Sequence, residues 1–309
     1  RNAPEGDLSG GRRVLPPHLY AVAEQARRRR AVLGASQALL IGGESGAGKT
    51  EAVKILMQYM CKASIAPTPA ERAAGVLATN DANALVERLV ELNPLLEAFG
   101  NATTALNHNS SRFGKLITLE YAGTEGIESG TEGGALSANI VGGRVSCYLL
   151  EKVRVVHHAE GESGFHIFYQ LLSDANPQLL KRLGLGAPAE HTYLQPRQVR
   201  MAATTDQVQR GSRAASASAR ESLLLRCHGA EAWQTTLAAA RAVGLKAEEM
   251  EHVCELLAAV VHLGDVRVHE REEGLAACSP ASDRSARLAA ELLQLPREKL
   301  QRVLCIRVV

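Results

Sequence analysis

The 309 residues lack an excess of charge of either sign: 35 Lys and Arg against 33 Asp and Glu leave a formal net charge of +2. That balance offers no general basis for a nucleic-acid partner or for adhesion to a membrane surface. The one basic cluster, Arg27 to Arg30, follows a helical-looking stretch, residues 20–26, and reads as a solvated helix end. Long apolar runs are missing too. The longest, Leu256 to Val261, is far too short to cross a bilayer, so no transmembrane segment is expected. The four arginines and the apolar residues 31–41 imitate a secretory signal, but the stretch lies well inside the chain, contains Gln37 and runs straight into a glycine-rich loop. Paired cysteines are absent. Cys61, Cys147, Cys227, Cys254, Cys278 and Cys305 are far apart and form no C-x-x-C motif, a pattern that suits reduced thiols in the cytoplasm better than disulfides or zinc.

What is present begins with Gly43-Glu44-Ser45-Gly46-Ala47-Gly48-Lys49-Thr50, which fits G-x-x-x-x-G-K-[ST], the loop that wraps nucleotide phosphates. Its glycines let backbone N–H groups turn inward as a nest for negative charge. Lys49 places an ammonium at the β- and γ-phosphates, and the Thr50 hydroxyl can ligate Mg²⁺. A glycine-rich turn with an exposed lysine is the plain alternative. Context decides against it: Ala38 to Ile41 predicts a buried strand before the loop, and Val53, Leu56, Met57 and Met60 recur at helical spacing after it.

The rest of the chain reads as a series of short elements. Pro16-Pro17 suits the first turn of a helix. Residues 62–81 hold Pro67, Pro69 and Gly75 and predict a surface loop. Over residues 82–99, Leu85, Leu89, Leu92 and Leu96 predict a helix interrupted at Asn93-Pro94. Ile117, Leu119 and Tyr121 alternate as in a strand, and residues 145–156 predict a second, joined to the first across a Gly-, Ser- and Thr-rich link, 122–134. A short amphipathic helix is expected over 165–172 and a Ser/Ala/Arg-rich insertion over 204–222. The last third looks helical, with Trp233, Leu237 and Ala240 on one face. Within it, residues 257–265 imitate the apolar strand and terminal Asp of a Walker B motif. Met250, Val253, Cys254, Leu257, Val260 and Val261 keep a helical stripe instead, with Gly264 expected at the helix C-cap.

A second polar segment, Asn107-His108-Asn109-Ser110-Ser111-Arg112-Phe113-Gly114-Lys115, carries the chemistry of a γ-phosphate sensor. Amides can donate to phosphate oxygens, one serine can complete a Mg²⁺ shell, another can hold water, and the guanidinium can pair with a carboxylate. With both segments in view the chain resembles the front part of a myosin motor domain. Pro16 to Ala21 resembles the family's first helix, Gly43 to Glu51 its phosphate loop and Asn107 to Lys115 its switch I. Leu96 to Ala102, Tyr148 to Lys152 and Phe165 to Leu172 match further stretches in the family's order.

The resemblance implies an α/β fold: a phosphate-loop NTPase of the kinesin/myosin type, with a central, mostly parallel twisted sheet flanked by helices and a helical upper subdomain. It divides the chain into the first helix and phosphate-loop unit (1–62), a variable surface loop (63–81), switch I and transducer strands (82–172) and an upper actin-binding subdomain (173–309). The implied cofactors are ATP and Mg²⁺. Gly43 to Glu51, with Asn107, Asn109, Ser110 and Ser111, would bind nucleotide. Thr50 and Ser111 would ligate Mg²⁺. Lys49, Ser110 and Arg112 would be catalytic, with Ser110 positioning or relaying a proton for the lytic water. The implied function is actin-based movement driven by ATP hydrolysis in a cytoskeletal setting, with light chains or calmodulin on a lever arm.

The family's switch II, Asp-x-x-Gly-Phe-Glu, whose Glu should pair with Arg112, does not occur in these residues. The one D-x-x-G, Asp7 to Gly10, lies upstream of the phosphate loop. With Arg1 first and Ile306-Arg307-Val308-Val309 last, the chain reads as a fragment, inactive when isolated. A nucleotide-binding or scaffolding module without turnover is the alternative. A kinase or GTPase is disfavoured, because no N-K-x-D motif is present.

Overall fold

The computed structural model describes residues 18–44, 46–65, 87–122, 140–174, 176–195, 228–270 and 276–305. Pro16-Pro17, Ser45, residues 66–86, the link from 123 onward and the insertion 204–222 lie outside the described residues. The chain separates into two compact units. The first holds residues 18–43, 48–65, 120–122 and 140–142, and the second holds the other described residues.

In the first unit, α1 (Leu19–Leu33) packs against α2 (Lys49–Ile65). The His18 ring accepts the Tyr20 N–H at the start of α1, and Gly34, at φ +61°, ends the helix with its N–H on the Arg30 carbonyl. Ala23 and Ala26 of α1 and Leu56, Met57 and Cys61 of α2 are buried. The helix therefore runs through the basic cluster, contrary to a helix end at Arg27. Arg27 and Arg28 both pair with Glu24, and the Arg30 guanidinium lies 4.2 Å from the centre of the Tyr121 ring. Three arginines of the four thus have structural partners inside the unit.

Residues 36–44 form no strand, so the expected strand at Ala38 to Ile41 is corrected. Leu40 is 99% exposed. A strand exists through the neighbours that satisfy its N–H and C=O groups, and no described strand pairs with this segment.

The second unit is mainly helical. After a helical turn at 87–91, the chain breaks at Leu92 and resumes as α3 (Asn93–Gly100) with Pro94 in its first turn, as the Asn-Pro step predicts. α4 (His166–Asp174), α5 (Pro177–Leu183), α6 (Ala230–Ala242), α7 (Ala247–Asp265), α8 (Asp283–Leu292) and α9 (Arg297–Cys305) follow. One cluster joins Ala98, Phe165, Ile167, Phe168, Leu171, Trp233, Ala240, Met250, Leu257 and Val261. Each large side chain so buried contributes about 1.5–3 kcal/mol relative to exposure.

α7 carries its buried side chains at Met250, Cys254, Leu257, Ala258 and Val261, the spacing of one helical face, so the Walker B imitation is a helix. Gly264 lies inside α7, and Val266 is its C-cap. That corrects the C-cap expected at Gly264, where a Cβ would come within 2.5 Å of the Tyr193 ring. The glycine is there for close packing, not for a turn.

The strands form three two-stranded sheets among the described residues: β1 (Asn101–Ala102) with β2 (Ser110–Ser111), β3 (Gly114–Tyr121) with β4 (Ile140–Tyr148), and β5 (Val268–Glu270) with β6 (Ala276–Cys278). The first and third are antiparallel. β3 confirms the alternation of Ile117, Leu119 and Tyr121. β4 ends at Tyr148, and Lys152–Val155 is a 3₁₀ turn, which shortens the strand expected over 145–156. The β5–β6 hairpin interrupts a stretch expected to be helical.

Candidate functional site

The glycine-rich loop has the backbone that its composition dictates. Gly46 and Gly48 both sit at φ +81°, where a side chain would be strained, and a Cβ at either would meet no atom within 4 Å. Backbone conformation, not crowding, therefore requires glycine at these two positions. The Ala47 N–H closes a turn on the Glu44 carbonyl at 3.2 Å. Lys49 begins α2, and Ala52 N–H reaches the Gly48 carbonyl at 2.9 Å. Thr50 and Glu51 thus occupy the first turn, where unsatisfied N–H groups and the helix dipole favour an anion. The Lys49 ammonium folds back to donate to the Gly43 carbonyl at 2.8 Å, which spans the loop from its first residue to its last turn.

The polar segment 107–115 is held from three sides within the second unit. Asn107 closes a local turn: its Oδ1 accepts the Asn109 N–H at 3.0 Å, and its carbonyl accepts from both the N–H and the hydroxyl of Thr104. Ser110 and Ser111 lie on β2, in register with Ala102 and Asn101. Ser110 is buried and Ser111 exposed, so neighbouring hydroxyls face different surroundings. Ser111 Oγ donates to the Phe113 carbonyl at 3.0 Å. Lys115 donates to Asn93 Oδ1 at 2.8 Å and ties β3 to the start of α3.

Asn109 is the most constrained side chain of the segment. Its Nδ2 donates to Glu97 Oε2 at 3.0 Å, and its Oδ1 accepts from Asn101 Nδ2 at 2.8 Å. His166 Nε2 lies 3.2 Å from the same oxygen, and His166 Nδ1 lies 2.8 Å from His228 Nε2. Because Asn109 Oδ1 can only accept, the network assigns the proton of His166 to Nε2, leaving Nδ1 to accept from His228. The His228 ring stacks on Tyr169, 4.4 Å between centroids. Burial pushes the His166 pKa down to about 3, with the neighbouring His228 adding to it, and burial pushes His228 down to about 4. A second proton on His166 would set two donors against each other.

Arg112 has a partner that the sequence did not reveal. Its N–H donates to the Gly100 carbonyl at 2.8 Å, and its carbonyl accepts from the Glu151 N–H at 3.0 Å. The side chains follow the backbone: Nε lies 2.7 Å from Glu151 Oε2, an ion-pair distance, although the N–H is not aimed along that line. Glu151 also pairs with Arg154, which bridges on to Glu162. Burial works against ionisation of Glu151, but the Arg154 hydrogen bond and the charges of Arg154 and Arg112 hold its carboxyl below the usual range.

The sequence profile of the myosin head (motor domain) matches residues 9–309. This chain belongs to the myosin head family. It is 37% identical to myosin ID heavy chain of Dictyostelium discoideum over 295 residues, covering 96% of this chain and 22% of that protein. It is 33% identical to unconventional myosin-VI of Bos taurus, covering 96% and 21%, and 40% identical to myosin IA heavy chain of Dictyostelium discoideum over 180 residues, covering 58% and 16%. The chain thus spans about a fifth of the length of the first two of these relatives.

Within this myosin head segment, the described part of Gly43 to Glu51 forms a loop-to-helix turn. Asn107, Asn109, Ser110, Ser111 and Arg112 form one hydrogen-bonded strip. Sequence reasoning missed Glu97, Asn101, His166 and His228 behind Asn109. Nothing local to Asn109 points to residues 57 and 119 positions away, although His166 stood in a matched family stretch without a role. Glu151 stood in a matched family stretch without a role.

Proposed function

We propose that this chain is part of an actin-based cytoskeletal motor that binds and hydrolyses Mg-ATP to drive movement along actin filaments. The observation that carries the reading is the match to the myosin head over residues 9–309, on a chain whose phosphate-loop glycines adopt the left-handed backbone that the motif needs. In the complete motor, a central, mostly parallel twisted sheet flanked by helices would carry the glycine-rich loop. Residues 82–172 supply switch I and transducer strands, and 173–309 form the helical upper actin-binding subdomain. Light chains or calmodulin belong to a lever arm further along such a motor.

The residues fit the group they would hold. Gly43 to Glu51 would cradle the phosphates, with the Lys49 ammonium exchanging the Gly43 carbonyl for phosphate oxygens. Thr50 and Ser111 offer hydroxyl oxygens, the donor type of a hard divalent cation, and Ser111 gives its proton to Phe113 and keeps its lone pairs. Bound Mg²⁺ would neutralise charge on the phosphates. Asn107 and Asn109 orient switch I and offer amide donors. Ser110 holds the lytic water and moves its proton. Arg112, aligned by Glu151 and Gly100, fixes the switch strand. Catalysis of this kind is positioning plus charge stabilisation.

Lys49→Ala tests the reading, because it leaves phosphate charge uncompensated in a site built for it. ATP affinity should fall by about 2–5 kcal/mol. Nucleotide titration of both forms of the full-length motor decides it, and unchanged affinity would remove the phosphate-loop assignment.

A further inference from the structure

Cys278, at the end of β6, and Cys305, at the end of α9, bring their sulfurs within 3.7 Å of each other. Both are half-buried, in contrast to the buried Cys61 and Cys254 and the exposed Cys147. Their elements pack together, and α9 is held in turn through Leu300, buried with Ala289 and Ala290 of α8. The two sulfurs sit at van der Waals distance with their chain positions fixed by neighbouring packing. A disulfide needs an approach to about 2.05 Å.

We propose that Cys278 and Cys305 are a reversible oxidation site, in which a peroxide converts the thiol pair to a disulfide that staples α9 to β6. Cys305 thiolate attacks the peroxide oxygen and breaks the O–O bond. This forms a sulfenic acid and releases water or the corresponding alcohol. Cys278, once deprotonated, attacks the sulfenyl sulfur, and the S–O bond breaks with release of water. Overall, two thiols and one peroxide give one disulfide, one water and one water or alcohol. The peroxide is reduced, and the two sulfurs are oxidised.

The proposed order places Cys305 first: either sulfur can donate in the contact between them, and burial and the hydrogen bond with Cys305 push the Cys278 thiol up. Near Cys278 the Arg297 charge favours ionisation and the charge of its ion-pair partner Asp283 opposes it. In a reducing compartment such a bond is transient, the behaviour of a sensing thiol pair and not of a structural disulfide. The closed loop would contain all of α8 and α9, so oxidation acts on the end of the helical subdomain. The phosphate loop and switch I contribute no residue to it.

The test is graded hydrogen peroxide on the full-length protein, followed by alkylation of free thiols, digestion without reductant, and mass spectrometry. The peptides carrying Cys278 and Cys305 should appear linked, two hydrogens lighter than their sum, and separate again with dithiothreitol. Because the second thiol is already in place, half-linkage should need about tenfold less peroxide than half-oxidation of Cys147. Cys278→Ser should abolish the link and leave Cys305 as a sulfenic acid trapped by dimedone. Two results on the wild-type protein would overturn the proposal: both thiols still alkylated when Cys147 is oxidised, or Cys305 driven to sulfinic acid with no linked peptide.

Discussion

At the residue scale, the proposed reading gives two adjacent serines different work. Ser111 is exposed and keeps its lone pairs free of its own proton, whereas Ser110 is buried in β2. Ser111→Ala should weaken Mg²⁺-dependent nucleotide binding. Ser110→Ala should leave binding largely intact and slow the chemical step, on the order of a hundredfold. Mg²⁺ titration and single-turnover hydrolysis on both variants separate these outcomes, and the reverse pattern would mean that the roles are exchanged.

The buried histidines make a second prediction with a definite sign. His166 and His228 titrate near 6.5 when unfolded but at about 3 and about 4 when folded, so between those limits the unfolded chain binds more protons. Their contribution is complete above pH 6.5 and is lost as the pH falls towards 4. Unfolding at pH 5 should take up about two protons from this pair, and about one in His166→Gln. Denaturation midpoints across that pH range measure it, and equal slopes for the two proteins would contradict it. At this scale, the two candidate segments were legible from motif spacing, since each is local. The partners of Asn109 and Arg112 were not, because chain reversals bring Glu97, His166, His228 and Glu151 to them.

Elements depend on neighbours as well as on pattern. The helix over α7 was readable because Met250, Cys254, Leu257 and Val261 keep a single face over several turns. Residues 38–41 have the composition of a buried strand, yet an apolar run carries no information about which strands flank it, and Leu39 and Leu40 stand exposed. The β5–β6 hairpin was missed because strands of three residues are too short to show alternation. α1 was cut short at Arg27 because charge suggested solvent. Glu24 and Tyr121 show why arginines can continue a helix whose outer face has partners.

Gly100 is the junction between α3 and β1, and a Cβ there would come within 2.3 Å of the Phe113 ring. Its carbonyl also receives the Arg112 N–H. Gly100→Ala should therefore displace Phe113 and destabilise the second unit by about 1–3 kcal/mol. Denaturant unfolding checks this, and an unchanged midpoint would show that the ring moves aside without cost.

On the scale of the whole molecule, the described residues supply a glycine-rich loop leading into a helix, a polar strip with buried support behind Asn109, and a helical cluster with its own core. The D-x-x-G-F-E segment that closes the γ-phosphate pocket in the family does not occur among its 309 residues. On the proposed reading, preorganised charge around the lytic water, usually the largest catalytic contribution, is incomplete without that segment. Residues 1–309 expressed alone should turn over ATP at background rate. The most direct test is the steady-state Mg-ATPase of the full-length protein that contains this chain, with and without filamentous actin. Hydrolysis stimulated severalfold by actin and abolished by Lys49→Ala is the predicted result. An ATPase indifferent to actin, or one that survives loss of Lys49, would contradict the assignment of these residues to an actin-activated motor.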